Sequence, residues 1–270
     1  MSIIYGKSLA VKVGSTVEST VDGWEIDHQG NLVPYVSGNT DGGTGREGGN
    51  KDWTGLYRKY GAIPEAFPGD SFAGIFSTEG TLGYYGTARC LRVVWDWDVD
   101  AGGYIESRVS FGANGVLTRG AAVAVDASFP APVNVKGLSL KLDGTQQTNV
   151  RRMRMVAQIK PRKYCVAESD GQYFRTDGEL DMLAMWQVLE DDPTAFPELH
   201  ATHVVQIMTA STPTYWTITW MRIEAVEPFG VDRRKTDVPV GATIIASFDC
   251  SSSTSLGSVV SPAGVTKWPV

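Results

Sequence analysis

One stretch of this chain leaves little choice of secondary structure. Residues 93–100 read Val-Val-Trp-Asp-Trp-Asp-Val-Asp, and apolar and acidic side chains alternate one for one. Period-2 alternation places Trp95, Trp97 and Val99 on one side of a strand and Asp96, Asp98 and Asp100 on the other. Ala101-Gly102-Gly103 supplies a turn. Tyr104–Phe111 then returns with Ile105, Ser107, Val109 and Phe111 on a single side, which predicts a β-hairpin. Gly112-Ala113-Asn114-Gly115 reads as a second turn.

The rest of the chain agrees with a sheet protein. Thirty of 270 residues are glycine and eight are tryptophan, and glycine at about 11% stands above the usual ~7%. Tight turns and β-branched or aromatic strands use such a composition; long helices do not. No Gly-X-Y period indicates collagen, and aromatics are too frequent for wholesale disorder. No apolar run approaches the ~20 residues of a membrane helix, and the N-terminus lacks a signal-peptide apolar core. The expectation is a soluble chain made without export, with no membrane partner. The best helix candidate is 178–192, but Leu180, Met182, Ala184, Trp186 and Val188 also fit strand alternation, and we read it as strand.

The two halves echo each other. Asp52-Trp53 through Ala66-Phe67-Pro68 aligns with Asp181-Met182 through Ala195-Phe196-Pro197 at a separation of 129. Thr87-Ala88 and Leu91-Arg92-Val93 align with Thr217-Ile218 and Met221-Arg222-Ile223, and Val109-Ser110-Phe111 with Ala246-Ser247-Phe248. These matches predict a duplication, with β units at 1–135 and 136–270. Each carries long hairpin loops and at most one short helix. Segment 36–50 is glycine-rich and almost wholly polar, so it has no apolar face to bury. It reads as a mobile loop whose use is to bind a partner subunit, with Asn39, Asp41, Arg46 and Glu47 as contact residues.

Catalytic chemistry is not apparent. Three histidines, of which His200 and His203 lack a third ligand, give no metal site, and Cys90, Cys165 and Cys250 lie far apart without metal spacing. No nucleophile elbow, HExxH or dinucleotide fingerprint occurs, and Asp96, Asp98 and Asp100 lack the glycine and distal glutamate of an EF-hand loop. No cofactor, metal or catalytic residue is expected. Trp95, Trp97, Trp186, Trp216 and Trp220 could form a sugar platform, but alternating positions favour core or interface. The net charge is −6, yet residues 136–163 are basic. Arg151, Arg152 and Arg154 on one strand suggest an electrostatic face towards a neighbouring protomer, in preference to a nucleic-acid groove.

The ordered motifs Gly23-Trp24, the loop 36–50, Lys51-Asp52-Trp53-Thr54-Gly55, Gly86-Thr87-Ala88, Asp98-Val99-Asp100 and Val109-Ser110-Phe111-Gly112-Ala113-Asn114-Gly115-Val116-Leu117-Thr118 resemble those of major tail tube proteins of long-tailed bacteriophages. The likeness covers about residues 20–120; the second half, without the Trp-Thr-Gly element, reads as a diverged copy. The resemblance implies an all-β fold of two tandem sandwich- or barrel-like domains and a non-enzymatic virion protein made in the host bacterial cytoplasm. It also implies rings stacked into a hollow tube, trimeric and pseudo-sixfold for a duplicated chain. Partners would be further copies, other tail or neck proteins, and viral DNA passing without specific binding. Under that expectation Asp96, Asp98 and Asp100 line an acidic lumen and the loop 36–50 joins successive rings. A capsid decoration protein and a carbohydrate-binding module are the alternatives.

Overall fold

The computed structural model describes residues 9–18, 20–36, 44–60, 64, 66–78, 82–98, 105–120, 139–147, 149–166, 171–176, 178–189, 197–208, 215–228, 241–248, 258–260 and 266–269. The protein is all-β, and no helix occurs among the described residues. In the first half run β1 (Leu9–Val13), β2 (Thr16–Glu18), β3 (Val21–Tyr35), β4 (Gly45–Tyr60), β5 (Ser71–Thr78), β6 (Leu82–Asp98) and β7 (Glu106–Arg119). In the second run β8 (Leu140–Leu142), β9 (Thr145–Gln146), β10 (Val150–Lys160), β11 (Lys163–Tyr164), β12 (Phe174–Arg175), β13 (Glu179–Leu189), β14 (Thr202–Met208), β15 (Tyr215–Pro228) and β16 (Gly241–Phe248). Two short strands, β17 (Ser258–Val260) and β18 (Thr266–Pro269), follow.

Hydrogen-bonded neighbours in the first half run β3-β4-β7-β6-β5-β1-β2, and in the second β10-β13-β16-β15-β14-β8-β9. One order reproduces the other strand for strand. β1–β2 and β8–β9 are tight hairpins whose turns use left-handed residues, Gly14 (φ +61°) in one and Asp143 and Gly144 (φ +49° and +80°) in the other. Such turns match the natural twist of a two-stranded ribbon. β6 and β10 pair with each other, so both halves belong to one continuous sheet.

Alternation builds the core. Trp95, Trp97, Ile105, Val109 and Phe111 are buried, as their side of the predicted hairpin requires, and so are Trp186 and Trp216. Phe111 stacks on Phe76 with ring centroids 4.7 Å apart, while Phe67 of the first half stacks on Trp216 of the second at 5.3 Å. A single apolar cluster therefore runs through both halves. The first half curls back on itself through Lys59 of β4, whose Nζ lies 2.5 Å from Glu18 Oε2 of β2, with both side chains only 5% exposed. Tyr57 Oη donates to the same carboxylate at 3.1 Å.

Residues 178–192 form strand β13 as far as Leu189, as alternation indicated. Two expectations are corrected. Gly112–Gly115 is not a turn but the interior of β7. Gly112 serves close approach, since a Cβ there would meet the guanidinium of Arg175 at 2.6 Å, whereas Gly115 takes a positive φ of 143°. Nor does Gly45–Asn50 belong to a structureless loop. Gly45–Asn50 begins β4 and pairs with the end of β3, so that Pro34 faces Arg46 and Tyr35 faces Gly45. Gly45–Asn50 belongs to the outer part of a β3–β4 arm about 50 Å long at ~3.3 Å per residue. Lacking an apolar face, it gains its order from the ladder to β3 and, at Asn50, from a hydrogen bond to Tyr173 Oη. Asn39 and Asp41 lie outside the described residues.

Candidate functional site

The eight strands β3-β4-β7-β6-β10-β13-β16-β15 lie side by side, four from each half. At their middle, Arg92–Asp98 of β6 pairs antiparallel with Arg152–Gln158 of β10. Directly opposed residues project from the same face of a sheet. The register sets Asp98 against Arg152 and Asp96 against Arg154. Arg152 Nε lies 3.8 Å from Asp98 Oδ2 and 4.0 Å from Asp96 Oδ1. The acidic strand and the basic strand singled out in the sequence are thus partners within one chain. Arg152, expected to face the acids of a neighbouring protomer, thus has two acids of its own chain within reach. Arg151 sits at the irregularity between Val150 and Arg152, and Asp100 lies outside the described residues.

The open face of these strands is therefore of mixed charge, not acidic. Next to the Asp96 row, Arg108 Nε donates to Glu106 Oε1 at 2.6 Å, and one strand beyond β10 Gln158 Nε2 donates to Asp181 at 2.9 Å. Partial burial raises the Asp96 carboxyl above its ordinary value; Arg152 and Arg154 pull it down and Glu106 pushes it up. The rise marks a carboxylate held at a dense, partly dry junction, without the strong depression of a tight ion pair.

Among the described residues the two ends of this eight-strand run carry no strand partner on their outer sides. β3 is paired there along one edge, to β4. β15 is covered on one side as far as Ile223, by β14 and by the His200–Ala201 backbone that leads into it, and beyond Ile223 only its other side is paired among the described residues, to β16. The uncovered stretch of β15 corresponds to the stretch of β6 that β10 occupies: Val93 and Val226 hold the same place relative to Val109 and Ile244, which in turn face Tyr57 and Trp186. This register also corrects the sequence alignment of the last strands, since Val109 is level with Ile244 and not with Ala246.

A second junction between the halves was missed in the sequence. The short hairpin β11–β12 leaves β10 and folds over the first half. Arg175, 2% exposed, donates from Nη2 to Asp52 Oδ1 and Oδ2 at 2.9 and 2.8 Å and from Nη1 to the Ala113 carbonyl at 2.7 Å. Lys163 Nζ reaches Asp52 Oδ2 at 2.7 Å. Backbone bonds from Lys51 N–H to Gly171 O and from Tyr173 N–H to Lys51 O complete the clasp. The signal was present: at the separation of 129, Arg175 stands where Arg46 does and Asp181 where Asp52 does. Arg46 and Glu47 lie exposed near the end of the β3–β4 arm.

Among the described residues no cluster of three or more His, Cys, Asp or Glu could hold a metal, and no helix is long and apolar enough to cross a membrane. His203 Nδ1 lies 2.7 Å from Asp143 Oδ2, and Asp143 also accepts the Val204 N–H, an arrangement that ties the β8–β9 turn to β14. Cys90 is buried and Cys165 exposed, both as free thiols. The chain matches no protein-family model and no curated protein sequence.

Proposed function

We propose that this chain is a structural subunit whose open sheet edges join successive copies into closed rings, and that these rings stack as the tail tube of a long-tailed bacteriophage. The β6–β10 junction carries the reading. Within one chain, a four-stranded unit ending at β6 continues into a four-stranded unit beginning at β10, and the counterparts of those two edges, the end of β15 beyond Ile223 and the outer edge of β3, carry no strand partner among the described residues. Repeating the internal step between molecules would set β15 of one copy against β3 of the next. That contact is heterologous, so it generates a ring if the rotation closes, and closure removes exposed edges that otherwise invite aggregation. Six units from three copies satisfy the stoichiometry that the resemblance implies. The short β2, β9 and β18 blunt the remaining edges. If the open face lines the channel, its paired acids and bases present DNA with a nearly balanced wall. Such a wall offers few unpaired cations for phosphates to bind and little counterion release to hold the polymer.

Alternate residues of β3 turn their N–H groups towards β4 and towards the free edge, so of Asp27→Pro and His28→Pro one blocks the edge while sparing the internal ladder. Mass photometry and negative-stain microscopy of the wild type should show rings and tubes. The proline variant that retains the wild-type melting temperature should remain a single protomer. Wild-type protein that stays monomeric up to high concentration, or tubes that persist in both proline variants, would refute edge-to-edge assembly; discrete, unstacked trimers would favour a capsid decoration role.

A further inference from the structure

The two hairpin arms are counterparts in detail. Pro34 faces Arg46 and Tyr35 faces Gly45, while Lys163 faces Arg175 and Tyr164 faces Phe174, each pair displaced by the same 129 residues. At the bases of the arms, Trp24 faces Tyr57 as Met153 faces Trp186. The environments of the arms differ. The second arm is docked: Arg175 is buried on Asp52 of the half that β10 adjoins. Beyond the clasp at Asn50–Asp52, the outer part of the first arm is exposed: every residue of β3 from Asp27 to Tyr35 is exposed, and Leu32, Val33, Tyr35 and Val36 are 48–69% exposed. A lone two-stranded ribbon that exposes apolar side chains is marginal in water and gains from a partner surface.

The partner surface follows from the docked arm. In the first half Arg175 lands on Asp52, beside Gly112 and the Ala113 carbonyl. The corresponding place in the second half holds Asp181, exposed on β13 and engaged by Gln158. We propose that Arg46 of one copy binds Asp181 of the next, as Arg175 binds Asp52 within the chain; the inference rests on the assembly reading above. The occupant is a second copy, because the arm belongs to the half whose β3 edge would meet that copy's β15. The joint and the clasp then form between the same two molecules, as they do internally. The expected contact is lateral, within a ring. One difference sets its strength. Ser247 stands where Gly112 does, since Leu183 faces Ser247 as Thr54 faces Gly112. Its Cβ occupies space that Arg175 uses in the first half, so Arg46 meets Asp181 nearer to solvent and the contact weakens as salt rises.

The test is charge reversal at two exposed positions. Arg46→Glu and Asp181→Arg should each leave the circular dichroism spectrum and melting temperature of the protomer unchanged and raise the concentration for half-assembly at least about tenfold at low salt. The double variant Arg46→Glu/Asp181→Arg should recover most of that loss. Sedimentation velocity across a concentration series reads all three. Wild-type assembly with either single variant unaffected, or with both weakened and no recovery in the double variant, would overturn the pairing while leaving edge-to-edge assembly standing. Failure of the wild type to assemble under any condition would overturn both.

Discussion

Replacing Arg175 with methionine tests whether the β11–β12 clasp holds the two halves in their mutual arrangement. Methionine preserves most of the side-chain volume, so the cost comes from polar groups and little from a cavity. The substitution removes the hydrogen bonds to both Asp52 oxygens and to the Ala113 carbonyl. Breaking a buried ion pair by removing one partner costs about 3–5 kcal/mol, because the other charge stays behind. Asp52 is not abandoned: Lys163 remains 2.7 Å away and the Trp53 N–H donates to Oδ1 at 2.9 Å. Against this stands the stranded Ala113 carbonyl, which costs about 1–3 kcal/mol if left unsatisfied. The net expectation is about 3 kcal/mol, a large part of a typical domain stability of about 5–15 kcal/mol. Urea unfolding followed by tryptophan fluorescence measures it, and hydrogen exchange should show lost protection at the Lys51 and Tyr173 amides. Arg175→Lys should recover little, since one ammonium cannot span the carboxylate and the carbonyl as the planar guanidinium does. A loss below about 1 kcal/mol with amide protection retained would show that the clasp is incidental to the fold.

Two buried or half-buried carboxylates allow comparable tests. Lys59→Met leaves Glu18 buried without its cation and should cost about 3–5 kcal/mol in urea melts, whereas adding Glu18→Gln should return most of it, because the amide keeps an acceptor for Tyr57 Oη; equal stability of the single and double variants would contradict this. Asp96 has a folded pKa above its ordinary 3.8, so its contribution to stability is complete below that value and is lost as pH rises through the raised one. Asp96→Asn should therefore be neutral at pH 3 and stabilising by a few tenths of a kcal/mol at pH 7, a small effect for a side chain 34% exposed; thermal melts that show destabilisation at pH 7 would mean that Arg152 outweighs burial.

What the sequence disclosed was local. Alternation at Trp95–Asp98 and Ile105–Phe111 fixed strands and buried faces, since a period of 2 leaves no other face for those tryptophans. It failed where strand order comes from pairing alone: Gly45–Asn50 has neither β-branched residues nor an apolar side, and only the ladder to β3 makes it a strand. Asp96 with Asp98, and Arg152 with Arg154, each read as a surface awaiting a partner. Composition near either strand could not reveal that they face each other, because that pairing spans more than fifty residues and is set by how the two halves meet. The clasp was within reach of the repeat. Carrying the separation of 129 onto charged positions pairs Arg46 with Arg175 and Asp52 with Asp181, a step that needs no coordinates.

The internal and the proposed external junctions differ in a way that bears on assembly. At the internal joint β10 presents Arg152 and Arg154 to Asp98 and Asp96. The counterparts of those arginines on β3 are Gly23 and Glu25, since Gly23 faces Arg58 and Glu25 faces Leu56 as Arg152 faces Gln187 and Arg154 faces Met185. The free β3 edge is thus acidic, with Glu25 and Asp27 exposed, and the facing of bases against acids seen at the internal joint cannot be reproduced there. Backbone pairing, the arm and the salt-sensitive Arg46–Asp181 contact would have to supply the affinity between copies. In the proposed ring, fusion of two units would place half of the joints inside covalent chains and leave the other half weaker and reversible. A subunit built this way can stay dispersed until a template or a high local concentration brings edges together, whereas two equally strong joints would polymerise as soon as the chain folded.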